Sequence, residues 1–167
     1  MAVAESVDAG TAAEEARRVV AANAYMTLAT ADGDGDGRPW ATPVWFAARG
    51  CADFVRVSRP GARHSANIAC RPEVGIVVFD STVAGGAAAV YVEAEAEEVG
   101  DDDRAHALAV VNGRAWEHGI GSWSGPDVTG AAQFRLDRAR ASRVYVLDEH
   151  DGRVEVGGPS LRRPRAG

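Results

Sequence analysis

From Val90 to Glu97 the chain alternates strictly: Val90, Val92, Ala94 and Ala96 are interleaved with Tyr91, Glu93, Glu95 and Glu97. A period of two is that of a pleated strand, and this version predicts one face buried and the other in solvent. Such half-exposed strands belong to antiparallel sheets. The flanking segments agree. Residues 25–31, 38–48, 54–58 and 73–80 are short, β-branched and aromatic, and read as strands. The DGDGDG run at 32–37 is a turn, since Gly and Asp tolerate positive φ. Pro39 and Pro43 cannot donate to a ladder, which places the second strand at an edge or bulge. Residues 133–136, 142–147 and 153–156 complete the strands.

Three helices are expected beside them. Thr11 and Glu14 form a capping box ahead of an apolar face carrying Ala16, Val19, Val20 and Ala24. Residues 61–70 form a short helix that ends before Pro72. Residues 101–118 form a third, with three aspartates at its positive end. Residues 81–86 and the Gly-rich stretch 119–130, which carries Trp123, read as loops. No regular crossover helices separate the strands, so the expected fold is mainly β: an antiparallel barrel with peripheral helices. The single domain spans 11–156, between a flexible start at 1–10 and a disordered tail at 157–167.

Charge narrows the function. Eighteen basic residues against 24 acidic ones give a net charge of −6, which does not suit a general nucleic-acid binder. No apolar run approaches the ~20 residues of a membrane-spanning helix. The amino terminus shows no basic start followed by an apolar block, so a cytoplasmic location is expected. Every basic residue is arginine. An anion must therefore be held by arginine, histidine or backbone N–H groups, and no lysine Schiff base is available. Cys51 and Cys70 read as unpaired thiols, and the four histidines are too scattered for a metal site. Arg135, Arg138, Arg140 and Arg143 read as a solvated basic face.

The segment 54–67, FVRVSRPGARHSAN, carries the site hypothesis. A strand ends at Ser58, turns at Pro60 and Gly61, and enters a helix with Arg63 and His64 in its first turn. Helix N–H groups and the dipole favour an anion there, and arginine adds charged hydrogen bonds. The expected ligand group is a phosphate.

The order of segments then resembles the pyridoxamine 5′-phosphate oxidase-like family of FMN-binding split β-barrels. The resemblance rests on Met26–Thr30, a DG turn, Gly37–Pro39, Thr42–Phe46, Phe54–Ser58, Ala62–His64, Arg71–Pro72 and Val90–Ala94, and it covers residues 25–99 best. It implies a homodimer with two flavins at the interface. It also implies that Thr42, Pro43, Val44 and Trp45 lie along the flavin, that Val57 and Ser58 touch it, and that Arg63 and His64 hold its phosphate. Arg114 and His118 fall where the family binds its substrate's phosphate.

The chain departs from the family oxidases at Thr42, Ala47 and Ala89, where they have arginine, lysine and glutamine. It is thus similar to the short relatives with unassigned small-molecule substrates, not to a typical pyridoxamine 5′-phosphate oxidase. The implied activity is hydride transfer through FMN. The alternatives are a reductase using the deazaflavin coenzyme (F-420) and a flavin-binding protein without catalysis; other relatives bind haem.

Overall fold

The computed structural model describes residues 9–33, 35–84, 88–148 and 150–156. Along the chain run α1 (Ala9–Ala22), β1 (Tyr25–Ala31), β2 (Pro39–Trp45), β3 (Ala47–Arg49), β4 (Asp53–Ser58), α2 (Arg63–Cys70), β5 (Glu73–Phe79) and β6 (Ala89–Glu98). Then follow α3 (Asp101–Glu117), a 3-10 turn (Gly125–Val128), β7 (Arg135–Leu147) and β8 (Arg153–Glu155). All ladders are antiparallel, in the order β2-β1-β5-β6-β7-β4-β3, with β8 on β7. The two ends of that order, β2 and β3, are consecutive in the chain and separated only by Phe46. The sheet therefore curls back on itself, which is the expected split β-barrel.

Period-two burial builds the interior. Met26 and Leu28 of β1, Ile76 and Val78 of β5, Val90 and Val92 of β6, and Val144 and Val146 of β7 all point inward. Phe46 and Phe54 meet there with ring centroids 5.9 Å apart. Helix α1 adds Ala12, Ala13, Ala16, Val19 and Val20 to the same core. A second apolar cluster lies beneath α3, where Ala107 and Val111 pack on Ala47, Val55 and Leu136. Trp45, Val57 and Trp123 rest against it.

Three boundaries differ from expectation. Helix α1 begins at Ala9, so Thr11 lies inside its first turn and does not cap it; its apolar stripe begins at Ala12, and docking on the barrel decides its length. The flexible start expected at 1–10 therefore gives Ala9 and Gly10 to α1, while residues 1–8 and the tail 157–167 lie outside the described residues. The second strand breaks at Phe46, where the barrel turns its corner. The two strands expected at 133–136 and 142–147 are one, β7, of 13 residues. Its arginines do not interrupt it, because they find carboxylates. Arg138 is 8% exposed and bonds Asp103 at 2.6 Å, and Arg140 pairs with Glu97 and Asp103. The expected solvated basic face is thus an ion-pair lattice joining β7 to β6 and α3.

Pro39 and Pro43 do occupy an edge, since β2 pairs only with β1 among the described strands. Both cysteines are free, and burial pushes the Cys51 thiol up to about 11. No described helix is long and apolar enough to cross a membrane.

Candidate functional site

The end of β4 and the start of α2 meet as the sequence predicts. Ala62 precedes α2 in extended geometry, and no side chain caps the helix. Its first N–H groups are therefore left for another acceptor. Arg63 opens this turn. Its Nη2 lies 3.1 and 3.0 Å from the two carboxylate oxygens of Asp32, its Nε lies 3.3 Å from Oδ1, and its guanidinium stacks 4.5 Å from the centroid of the Trp40 ring. Asn67, buried one turn on, is satisfied when its amide oxygen accepts from Thr30 Oγ1 at 3.0 Å and its nitrogen donates to Asp32 Oδ1 at 3.2 Å. Asp32 is thus the hub that ties α2 to the β1–β2 turn.

His64 faces the barrel wall. Its Nε2 lies 3.1 Å from Ser58 Oγ, which also accepts from Arg56 Nη1. In the tautomer that takes the Ser58 hydroxyl proton at Nε2, the ring proton is on Nδ1. Burial, reinforced by the Arg56 charge, holds the imidazole down to about 4, so it is neutral at pH 7. His64 is accordingly a polar but uncharged neighbour of the helix start.

Behind Ser58, Arg56 sits 3.1 Å from Asp137 on the paired position of β7, and both are almost fully buried. Burial pushes the Asp137 carboxyl up to about 6 despite the arginine.

The remaining predicted residues divide. Thr42, Pro43, Val44 and Trp45 line up on edge strand β2 opposite Leu28, Thr27, Met26 and Tyr25. Trp45 and Val57 come together in the cluster beneath α3, and the Trp45 ring meets His118 edge-on at 6.2 Å. The buried Trp45 Nε1 has no hydrogen-bond partner among the described residues. Arg114 is occupied elsewhere: its Nη2 donates to the carbonyls of Ala21 and Asn23 at 2.8 and 3.1 Å, and its Nη1 pairs with Glu117. It caps the carboxyl end of α1, where a cation suits the dipole. Trp123 is pinned by reciprocal bonds with Asn112, both 2.8 Å, and its ring packs on Phe134.

Sequence reasoning missed Asp32, Trp40, Arg56 and Asp137 as members of this corner. Arg56 carried a signal, a charge inside the apolar run 54–57 that needs a buried partner. Asp32 carried none beyond its place in a turn.

Comparison with known proteins gives the same fold. A family model for pyridoxamine 5′-phosphate oxidase matches residues 12–148. A haem-binding protein from Mycobacterium smegmatis is similar over 96% of this chain, at 25% identity and a TM-score of 0.67; the chain spans 61% of that protein's length. An FAD-binding protein from Mesorhizobium loti is 25% identical, with 80% of this chain and 91% of that one aligned and a TM-score of 0.58. The haem storage protein HutZ from Vibrio cholerae aligns over 80% of this chain and 92% of its own, at 21% identity and a TM-score of 0.60. No curated protein matches.

Proposed function

The chain belongs to the pyridoxamine 5′-phosphate oxidase family, and from that premise we propose that it binds FMN at the β4–α2 corner and serves as a flavin-dependent oxidoreductase on a small substrate. One observation carries this reading: an uncapped helix start beside an arginine and a neutral imidazole. That donor set fits a phosphate. The helix amides, and Nδ1–H of His64 in the tautomer whose Nε2 accepts from Ser58, supply neutral hydrogen bonds, and Arg63 supplies the charge. Asp32 shares that guanidinium and weakens the seat without abolishing it, because Arg63 Nη1 makes no hydrogen bond among the described residues.

FMN, when bound, supplies hydride transfer at its ring. The chain's own residues bind and orient. Strand β2 offers its open edge with Thr42 to Trp45, and Val57 and Trp45 supply apolar wall that excludes water. The exposed edge of β2, where Trp40 is 37% exposed, together with Tyr25 of the adjoining β1, 61% exposed, supports a homodimer closing over it. A deazaflavin reductase is less well supported, since the acidic balance of the chain, a net charge of −6, does not favour the acidic tail of that coenzyme.

Haem is a second reading. It is favoured by the exposed imidazole of His118 beside Trp45 and by the likeness to the Mycobacterium smegmatis protein. Equilibrium titration of the purified chain with FMN and with haemin, followed by absorbance, tests both. Saturable FMN binding with quenched flavin fluorescence is expected. Haemin binding with a shifted Soret band and no FMN binding would reverse the assignment.

A further inference from the structure

A cleft of about 560 Å³ opens between α1, α3 and the rim of β3, within the size range of small-molecule sites. It contains none of the residues assigned above to the phosphate seat. Its floor is apolar, formed by Val20, Phe46, Ala48 and Val110. Its walls carry three arginines, Arg17, Arg49 and Arg114, against one carboxylate, Glu117, in a chain whose net charge is −6. Arg114 is the strut across one end, already spent on α1 carbonyls and Glu117.

Arg49 is different. Its Nη2 pairs with Asp53, but among the described residues its Nη1 meets only His106 Nε2, at 3.0 Å. A guanidinium nitrogen can only donate, so the imidazole is the acceptor. A carboxylate is a much stronger acceptor for the same N–H. We infer that this cleft binds an amphipathic monocarboxylate, its alkyl or aryl body on the Val20–Phe46–Val110 floor and its carboxylate on Arg49 in place of His106. The inference stands apart from the flavin reading, because the two sites share no donor.

Calorimetric titration of the full chain with decanoate, decylammonium and acetate tests it. Decanoate should bind at least tenfold more tightly than either control, since only it matches both floor and rim. Arg49→Gln should weaken decanoate at least tenfold. Gly113 lines the cleft, and a side chain there meets nothing within 4 Å. Gly113→Leu should therefore intrude on the cleft and weaken decanoate binding at least tenfold while holding or raising Tm, as leucine is the better helix former. Both variants should bind FMN as the parent does. Decylammonium binding as tightly as decanoate would overturn the inference. So would unchanged decanoate affinity in Arg49→Gln, or in folded Gly113→Leu.

Discussion

Arg56 and Asp137 face each other across the β4–β7 ladder, with Nη2 3.1 Å from Oδ2 and neither side chain more than 8% exposed. Neither of those two atoms has a well-aligned hydrogen bond among the described residues. The pair is held by charge in a site that solvates it poorly. Breaking it from one side should leave an uncompensated buried charge, at a cost of about 3–5 kcal/mol. Arg56→Leu and Asp137→Leu should each lose that much in denaturant unfolding, while the double variant should recover most of it. Strictly additive losses would mean that the two charges do not interact.

Acid should act on this network in two opposed ways. Asp137 has its folded pKa raised to about 6 from 3.8, so its proton favours the folded state; that contribution is full below 3.8 and is lost as pH rises through about 6. His64 is depressed to about 4 from 6.5, so its contribution is present above 6.5 and is lost as pH falls through about 4. Between pH 6 and 4 the two slopes oppose. Asp137→Asn should therefore show a steeper fall of Tm on acidification than the parent, and His64→Gln a shallower one. Parallel Tm–pH curves for all three proteins would contradict these assignments.

The β1–β2 turn presses on the end of α2. A Cβ on Gly33 would come within 2.0 Å of the Cys70 Cβ, so the two elements approach as closely as backbone and one methylene allow. Gly33→Ala should destabilise by about 1–3 kcal/mol through forced displacement, and Cys70→Gly in the same chain should relieve part of that loss. Thermal unfolding of the single and double variants reads the outcome.

These cases show what a linear sequence exposes. The alternation of β6 and the edge prolines of β2 declared themselves, because both are local rules of the pleated strand. The strand-to-helix corner at Ser58–His64 was also legible, since seven consecutive residues span it. Asp32 was not, because its partner Arg63 is 31 positions away and Asp in a DG run is fully explained as turn chemistry. Arg114 was singled out only by its place in the family pattern, and nothing local in the sequence shows that its guanidinium meets the carbonyls of Ala21 and Asn23, 93 and 91 positions away. Arg138 hid the continuity of β7, as a buried arginine is tolerable only when Asp103 on α3 arrives to meet it.

Asp32 competes with any anion for the Arg63 guanidinium. Asp32→Asn removes that competitor's charge and keeps a polar side chain at the turn. FMN affinity should rise several-fold, by about 1 kcal/mol. A loss of affinity would show that Asp32 serves the ligand by positioning Arg63.

The account rests on a phosphate held at the start of α2, and a single comparison reads it most directly: FMN against riboflavin, titrated into the parent chain and into Arg63→Ala. The parent should prefer FMN, and Arg63→Ala should lose about 30-fold in FMN affinity, equivalent to about 2 kcal/mol for charged hydrogen bonds, while riboflavin affinity stays unchanged. Equal FMN affinity in the two proteins, or a parent that does not distinguish FMN from riboflavin, would contradict it.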